Sequence, residues 1–456
     1  MTSPHVHIRD KLTSVSSFVT ILAICYGTWL FAFWPGIFGL DSFAVLWEVQ
    51  DAVAAPNSGK TRFYQSFVKA TFGTTLRVEA PILFQLVLAA LVLGRICAFC
   101  WDQGWRRTAV VMLLLIALAP QLVSYVGALY PDGVFAVASA ALLFELWLSI
   151  RRGRVSVVSL LIVVLVFPFA LWARSNGAVL WVAVVYALWR LRGFQRIRLA
   201  VVIGAWCVLA LGLAQTGRGE GQSALFPLTV FETVNFMQPR PMFFDDVGKR
   251  VSEKTLEAMH RYTDDATLLG FYDRSYWDTL VYREEGPRLG RMTESDRRVI
   301  VEEFFRHNVW KNLPAFWASR LHVFLFAALA EGQTLKPEDT RQVLRFIRNE
   351  STYRAFDAAG LSKQLERVHA ASHRARWVLW TPFIGIGLLL WLFVSALARR
   401  QWDIAALTLP MVMQLGGIFL LSSAGEYRYL LPFFVLPMAL MPMLLARERS
   451  PIRSLR

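Results

Sequence analysis

Of 456 residues, 55% are hydrophobic and only 18% charged, with a mean hydropathy of +0.43, which excludes a water-soluble globular chain: its surface would need more charge. The net charge of +15 does not imply a nucleic-acid partner. About 23 basic and 22 acidic residues between Thr216 and Ala375 nearly cancel, and the excess sits in short connectors and tails, as the positive-inside rule requires.

The apolar residues fall in blocks long enough to cross a hydrocarbon core about 30 Å thick. They predict an all-α polytopic membrane protein with about ten transmembrane helices. The first block, Val15 to Trp34, follows His7, Arg9 and Lys11. It is longer than a signal-peptide core and precedes no small-x-small cleavage pattern, so a retained helix starting in the cytoplasm is expected. The next blocks are Ala80–Phe99, Ala109–Ala128, Gly133–Ile150, Val155–Trp172, a return ending at Arg190, and Leu199–Ala214. Three more follow a long interval: Trp377–Leu397, Ile404–Ser422 and Tyr429–Leu445. Every second connector is Arg-rich, so both termini are expected in the cytoplasm and the long interval outside it.

Three parts result: a transmembrane module over 1–215, an extracytoplasmic, largely helical segment over 216–376, and a C-terminal transmembrane module over 377–456. Within the segment, 313–330 is apolar but carries Arg320 and His322 at its centre. A crossing there would put later Arg-rich loops on the wrong side, so an interfacial or re-entrant helix anchored by Trp310 and Trp317 is expected. Glu338 to Ala359 reads as an amphipathic helix. The four cysteines lie in or at the ends of apolar blocks, which implies no disulfide framework, and Cys97 and Cys100 read as packing residues.

Four polar stretches fall at helix ends predicted to share the extracytoplasmic side: Pro35-Gly36-Ile37-Phe38-Gly39-Leu40-Asp41-Ser42, Tyr130-Pro131-Asp132, Arg174-Ser175-Asn176-Gly177, and Glu426-Tyr427-Arg428-Tyr429-Leu430-Leu431-Pro432. Charges near a membrane core are costly and tend to be paired or functional. In their order and common side these stretches resemble the GT-C superfamily of integral-membrane glycosyltransferases, which use polyprenyl-phosphate-linked sugars. The likeness covers the first six helices and the last three. In the long interval it is limited to Asn312-Leu313-Pro314-Ala315-Phe316-Trp317-Ala318-Ser319-Arg320. Between Val49 and Glu79 the chain departs from many such relatives, lacking their Asp-x-His-Pro-like run.

The resemblance implies a transferase moving a sugar from a polyprenyl-phosphate carrier to a glycan or lipid acceptor. Its place would be a cell membrane, a bacterial inner membrane, with membrane lipids as further partners and the active face outside the cytoplasm. Asp41 takes the family's role of base toward the attacking hydroxyl; the alternative is a helix N-cap. Asp132 is a second catalytic carboxylate or again an N-cap. Either Asp41 or Asp132 would suit Mg²⁺ or Mn²⁺ as a metal ligand, and no His cluster points to zinc. Arg174 and Arg428 are candidate phosphate clamps, with headgroup snorkelling and an ion pair to Glu426 as the alternatives. Asn176, Arg320, Glu426 and Tyr429 complete the candidate substrate-binding set, Tyr429 as sugar stacker or belt residue. A lipid-linked-glycan transporter or flippase, and a glycan polymerase or ligase, are the alternative functions.

Overall fold

The computed structural model describes residues 4–51, 59–215, 225–239, 250–332, 335, 337–355 and 360–448. They form a multi-pass, all-α membrane protein. Among them, seven helices are long and apolar enough to cross a membrane, or eight if one bent pair is a single span. Strands among the described residues are confined to a two-residue antiparallel pair, β1 (Phe33–Trp34) with β2 (Arg354–Ala355). The chain divides into two units: Met1–Gly217, Gln333–Gln414 and Arg428–Arg456 in one, Arg218–Gly332 and Leu415–Tyr427 in the other.

The first unit holds α1 (Pro4–Ala32), α2 (Leu40–Gln50), α3 (Arg62–Thr75), α4 (Glu79–Asp102), α5 (Arg106–Ala117), α6 (Pro120–Val126), α7 (Pro131–Arg152), α8 (Val157–Trp172), α9 (Trp181–Arg190) and α10 (Gly193–Gln215). The expected third span is broken. Pro120 cannot continue the ladder of α5 and instead starts α6, which turns away by 61°. The expected fifth and sixth spans are short: α8 has 16 residues, and a 3-10 helix, Ser175–Leu180, precedes the ten residues of α9.

At the centre, α7 is almost wholly buried. Its small residues Ala136, Ala138, Ser139, Ala140 and Ala141 let α4, α8 and the C-terminal helices approach closely. Its one mid-helix charge, the buried Glu145, is paired to Arg95 of α4, which gives each group a partner. By contrast α10 exposes Val201, Val208 and Leu211, an apolar face suited to lipid. The helix Pro337–Phe346 stops before the expected amphipathic stretch ends. The Asn349 amide closes it by donating to the carbonyls of Leu344 (2.9 Å) and Ile347 (2.7 Å). Residues 356–359 of that stretch lie outside the described residues.

The second unit packs α11 (Phe226–Met237) against the helices Glu294–Glu303 and Leu313–Ala328, with Phe236 stacked on Phe304. Its interior carries a fully buried ion pair, Arg320 with Glu232. Ser319 and Asn235 donate to the same carboxylate at 2.7 and 3.0 Å, and the Arg320 guanidinium lies between the rings of Phe231 and Phe316.

Candidate functional site

Asp41 sits in the first turn of α2, after a tight turn that only glycine permits at Gly36. There φ is +143°, and a Cβ would lie 2.9 Å from the Gly127 carbonyl oxygen. The turn is held from beneath by buried Thr340, whose hydroxyl donates to the Gly36 carbonyl (3.0 Å) and accepts from the Phe38 amide (2.9 Å). The N-cap of α2 is Gly39, and no side chain caps it. The N-cap of α7 is Tyr130, again without a side-chain cap. Neither Asp41 nor Asp132 therefore spends its carboxylate on capping, although each anion sits at the favourable end of a helix dipole.

Their oxygens go to cations instead. Asp41 Oδ2 accepts from Lys60 Nζ at 2.5 Å and from Arg428 Nη1, 387 residues further along the chain. Asp132, fully buried, is paired to Arg174. The two pairs meet at Tyr429: the guanidinium carbons of Arg174 and Arg428 lie 5.0 and 5.5 Å from its ring centre, and Arg428 is also 5.0 Å from the ring centre of Tyr130. Such placements over an aromatic face hold a guanidinium without consuming its fork. Asp41 is the most open member of the cluster, its side chain 27% exposed against 1% for Asp132.

Electrostatics follow from this packing. Burial pushes the Asp41 carboxyl up, but Arg428 and Lys60 outweigh it and hold the group at about 2. The Lys60 ammonium is pushed down by burial, and Asp41 opposes that while Arg428 and Arg174 add to it. The cluster gathers three basic side chains, Lys60, Arg174 and Arg428, against two acids, Asp41 and Asp132.

Lys60 lies between Val49 and Glu79, in a stretch where the sequence carries no recognisable motif. The next residue fixes its position. Thr61 caps α3, accepting from the Tyr64 amide (3.4 Å), and donates to the Trp172 and Ala173 carbonyls at 2.5 and 3.1 Å. This ties the start of α3 to the end of α8 and brings Lys60 to Arg174. Gly177 allows the 3-10 helix to fold back there: a Cβ would clash with the Ala170 carbonyl oxygen and lie 2.7 Å from that of Leu171. Asn176, in the same helix, keeps a buried Oδ1 with no hydrogen-bond partner among the described residues.

From Arg174 an apolar groove of about 500 Å³ runs between α3, α8, the 3-10 helix and α10. Phe63, Leu171, Trp172, Trp181 and Leu211 line it, with Thr61, Arg62, Arg174 and Ser175 as its polar side chains.

The structure thus brings together Asp41, Asp132, Arg174, Arg428 and Tyr429 from the sequence-derived set, and adds Lys60 and Tyr130. Arg320 and Glu426 belong to the second unit, and Arg320 is fully buried against Glu232. Among the described residues no three His, Cys, Asp or Glu side chains gather as metal ligands. Each carboxylate of the cluster is already matched by a guanidinium, so the donor set suits an anion better than a divalent cation. The chain matches no family model, no curated protein and no solved structure.

Proposed function

We propose that this protein is an integral-membrane glycosyltransferase of the GT-C kind, transferring a sugar from a polyprenyl-phosphate carrier to a hydroxyl of a glycan or lipid acceptor at the extracytoplasmic face. The observation that carries the reading is the Asp41–Lys60–Arg428 cluster, joined through Tyr429 to Arg174 at the head of an apolar groove. The groove suits a polyprenyl tail, and the cations suit the phosphate that leads it.

In the reaction the acceptor oxygen bonds the anomeric carbon as the bond from that carbon to the phosphate oxygen breaks. Asp41 takes the hydroxyl proton, and polyprenyl phosphate leaves with the extra negative charge on its oxygens. Arg428, Lys60 and Arg174 stabilise that charge as it grows, a gain realised in the transition state rather than on binding. Alone, Asp41 held at about 2 is a weak base. A donor phosphate that draws Arg428 and Lys60 toward itself frees Asp41 from its partners and raises its basicity, so the base is switched on by donor binding. Tyr130 and Tyr429 keep Arg428 in its plane while it changes partner.

The test is binding and turnover by the purified full-length protein with a short-chain polyprenyl phosphate, the corresponding polyprenol, and a panel of polyprenyl-phosphate sugars. Phosphate-dependent binding that weakens in Arg174→Gln, with sugar transfer from at least one donor, is the expected result. Equal binding of polyprenol and polyprenyl phosphate, or no transfer from any donor, would sink the proposal.

A further inference from the structure

The Asp41 cluster lies at the N-terminal end of α7. At the opposite end, roughly 33 Å along that 22-residue helix, the first unit opens a cavity of about 1450 Å³. Its walls come from the end of α7, the end of α9, the start of α10, the connector into Trp402–Leu421 and the end of the C-terminal helix. Seven arginines line it against a single acid, Asp403.

That acid is already engaged: Tyr186 donates to it at 2.6 Å and Arg190 at 2.9 Å. Arg196 is used structurally, donating to the Leu191 and Trp189 carbonyls that close the α9–α10 turn. Arg447 donates to Ser395. Arg151, Arg192, Arg399 and Arg400 remain exposed, and none makes an ion pair among the described residues. Membrane orientation requires arginines in these connectors. It does not require arginines from separate connectors to converge on one concave wall.

Two features identify the class of ligand. The floor is apolar, made by Ile150, Ile404 and Met443, while exposed Trp189 and Trp402 stand at the lip as rings do at headgroup depth. The volume also exceeds the ~300–1,000 Å³ usual for a small-molecule pocket. We infer that this cavity binds an anionic phospholipid of the adjoining leaflet, its phosphate among Arg192, Arg399 and Arg400 and the upper part of its acyl chains on the apolar floor. Basic pockets between membrane helices take such headgroups by this chemistry. The inference stands independently of whether Asp41 is catalytic.

The experiment uses full-length protein in vesicles doped with photoactivatable phosphatidylglycerol or photoactivatable phosphatidylcholine, with crosslinked peptides mapped by mass spectrometry. Phosphatidylglycerol should label the peptides around 186–196, 399–404 and 443–447, and phosphatidylcholine should not. At about fivefold per arginine, Arg192→Gln with Arg399→Gln should cut labelling about 25-fold, while Arg107→Gln, outside the cavity, leaves it unchanged. Equal labelling by both lipids, or an Arg107→Gln loss as large as the double variant's, would overturn the site in favour of general surface charge. Suppression by millimolar inorganic phosphate would reassign the cavity to a soluble anion and overturn the lipid. Should the double variant fail to insert, the wild-type comparison of the two lipids decides alone.

Discussion

Replacing Lys60 by Gln separates a working cation from a packing residue. In wild type, Asp41 is held at about 2 against an ordinary 3.8, a preference for the charged form on the order of 2 kcal/mol. Burial works against that preference, so Arg428 and Lys60 together supply more than this, and removing Lys60 should raise the carboxyl from about 2. A charge-assisted hydrogen bond to the donor phosphate is lost as well, at about 1.5–3 kcal/mol. Transfer measured as kcat/KM should therefore fall by roughly 10- to 100-fold.

The pH profile carries the sharper signature. A base must be deprotonated, so activity falls as pH drops through its pKa. For free wild-type enzyme that limb lies near 2, below the working range, and kcat/KM should be flat in mild acid. In Lys60→Gln the limb should move to higher pH. In wild type the acid limb of kcat should lie above that of kcat/KM, because bound donor has taken the cations from Asp41. The stability sign agrees: a depressed carboxyl contributes fully above 3.8, and the contribution is lost as pH falls toward 2. A Lys60→Gln enzyme with wild-type kcat/KM and an unmoved acid limb would refute both the clamp and the switch.

Asp41→Asn should lower turnover by about 10²–10⁴-fold while donor binding stays equal or tightens, since a competing negative charge is gone; equilibrium binding and single-turnover assays read the two separately. Arg428→Lys should be nearly as harmful as Arg428→Ala at saturating donor, because a point charge keeps neither the fork nor the ring contacts with Tyr130 and Tyr429; near-normal kcat in the Lys variant would argue against a bidentate phosphate role. Arg320→Met should cost about 3–5 kcal/mol by stranding buried Glu232, seen as a lower unfolding temperature in detergent, and adding Glu232→Met should restore much of it. If Arg320 instead met substrate, the double variant would recover stability without activity.

The membrane class was legible because hydropathy acts over blocks of residues, and the same blocks gave helix positions. The broken span at Pro120 was there to be read, since proline removes a ladder donor, yet an averaged block from Ala109 to Ala128 hides a single residue. Arg428 stands out in the sequence as a candidate phosphate clamp, and the one acid its own motif offers beside it is Glu426. Its partner Asp41 lies 387 residues away, and only the folded chain supplies that proximity. Lys60 carried no motif; its position depends on Thr61 reaching two carbonyls at the end of α8. Arg320 sat in a family-like element, and a guanidinium inside an apolar helix needs an anion wherever that anion comes from. Glu232, 88 residues earlier, provides it.

The charges of the cluster offer a way to judge a transferase against a carrier. With Lys60, Arg174 and Arg428 taken as charged against Asp41 and Asp132 as carboxylates, the partly buried site carries one net positive charge. A polyprenyl-phosphate-linked sugar is a phosphodiester with one negative charge, which brings the site to neutrality. When the sugar leaves, the phosphate gains a second negative charge, and in the same step Asp41 is neutralised by the acceptor's proton. The site is therefore neutral before and after transfer, so no uncompensated charge develops where low dielectric would make it expensive. A carrier that moves an intact lipid-linked glycan creates no new charge and has no use for a carboxylate that can be neutralised in step with bond cleavage. That coupling is the reason Asp41, rather than the arginines around it, decides between the two readings.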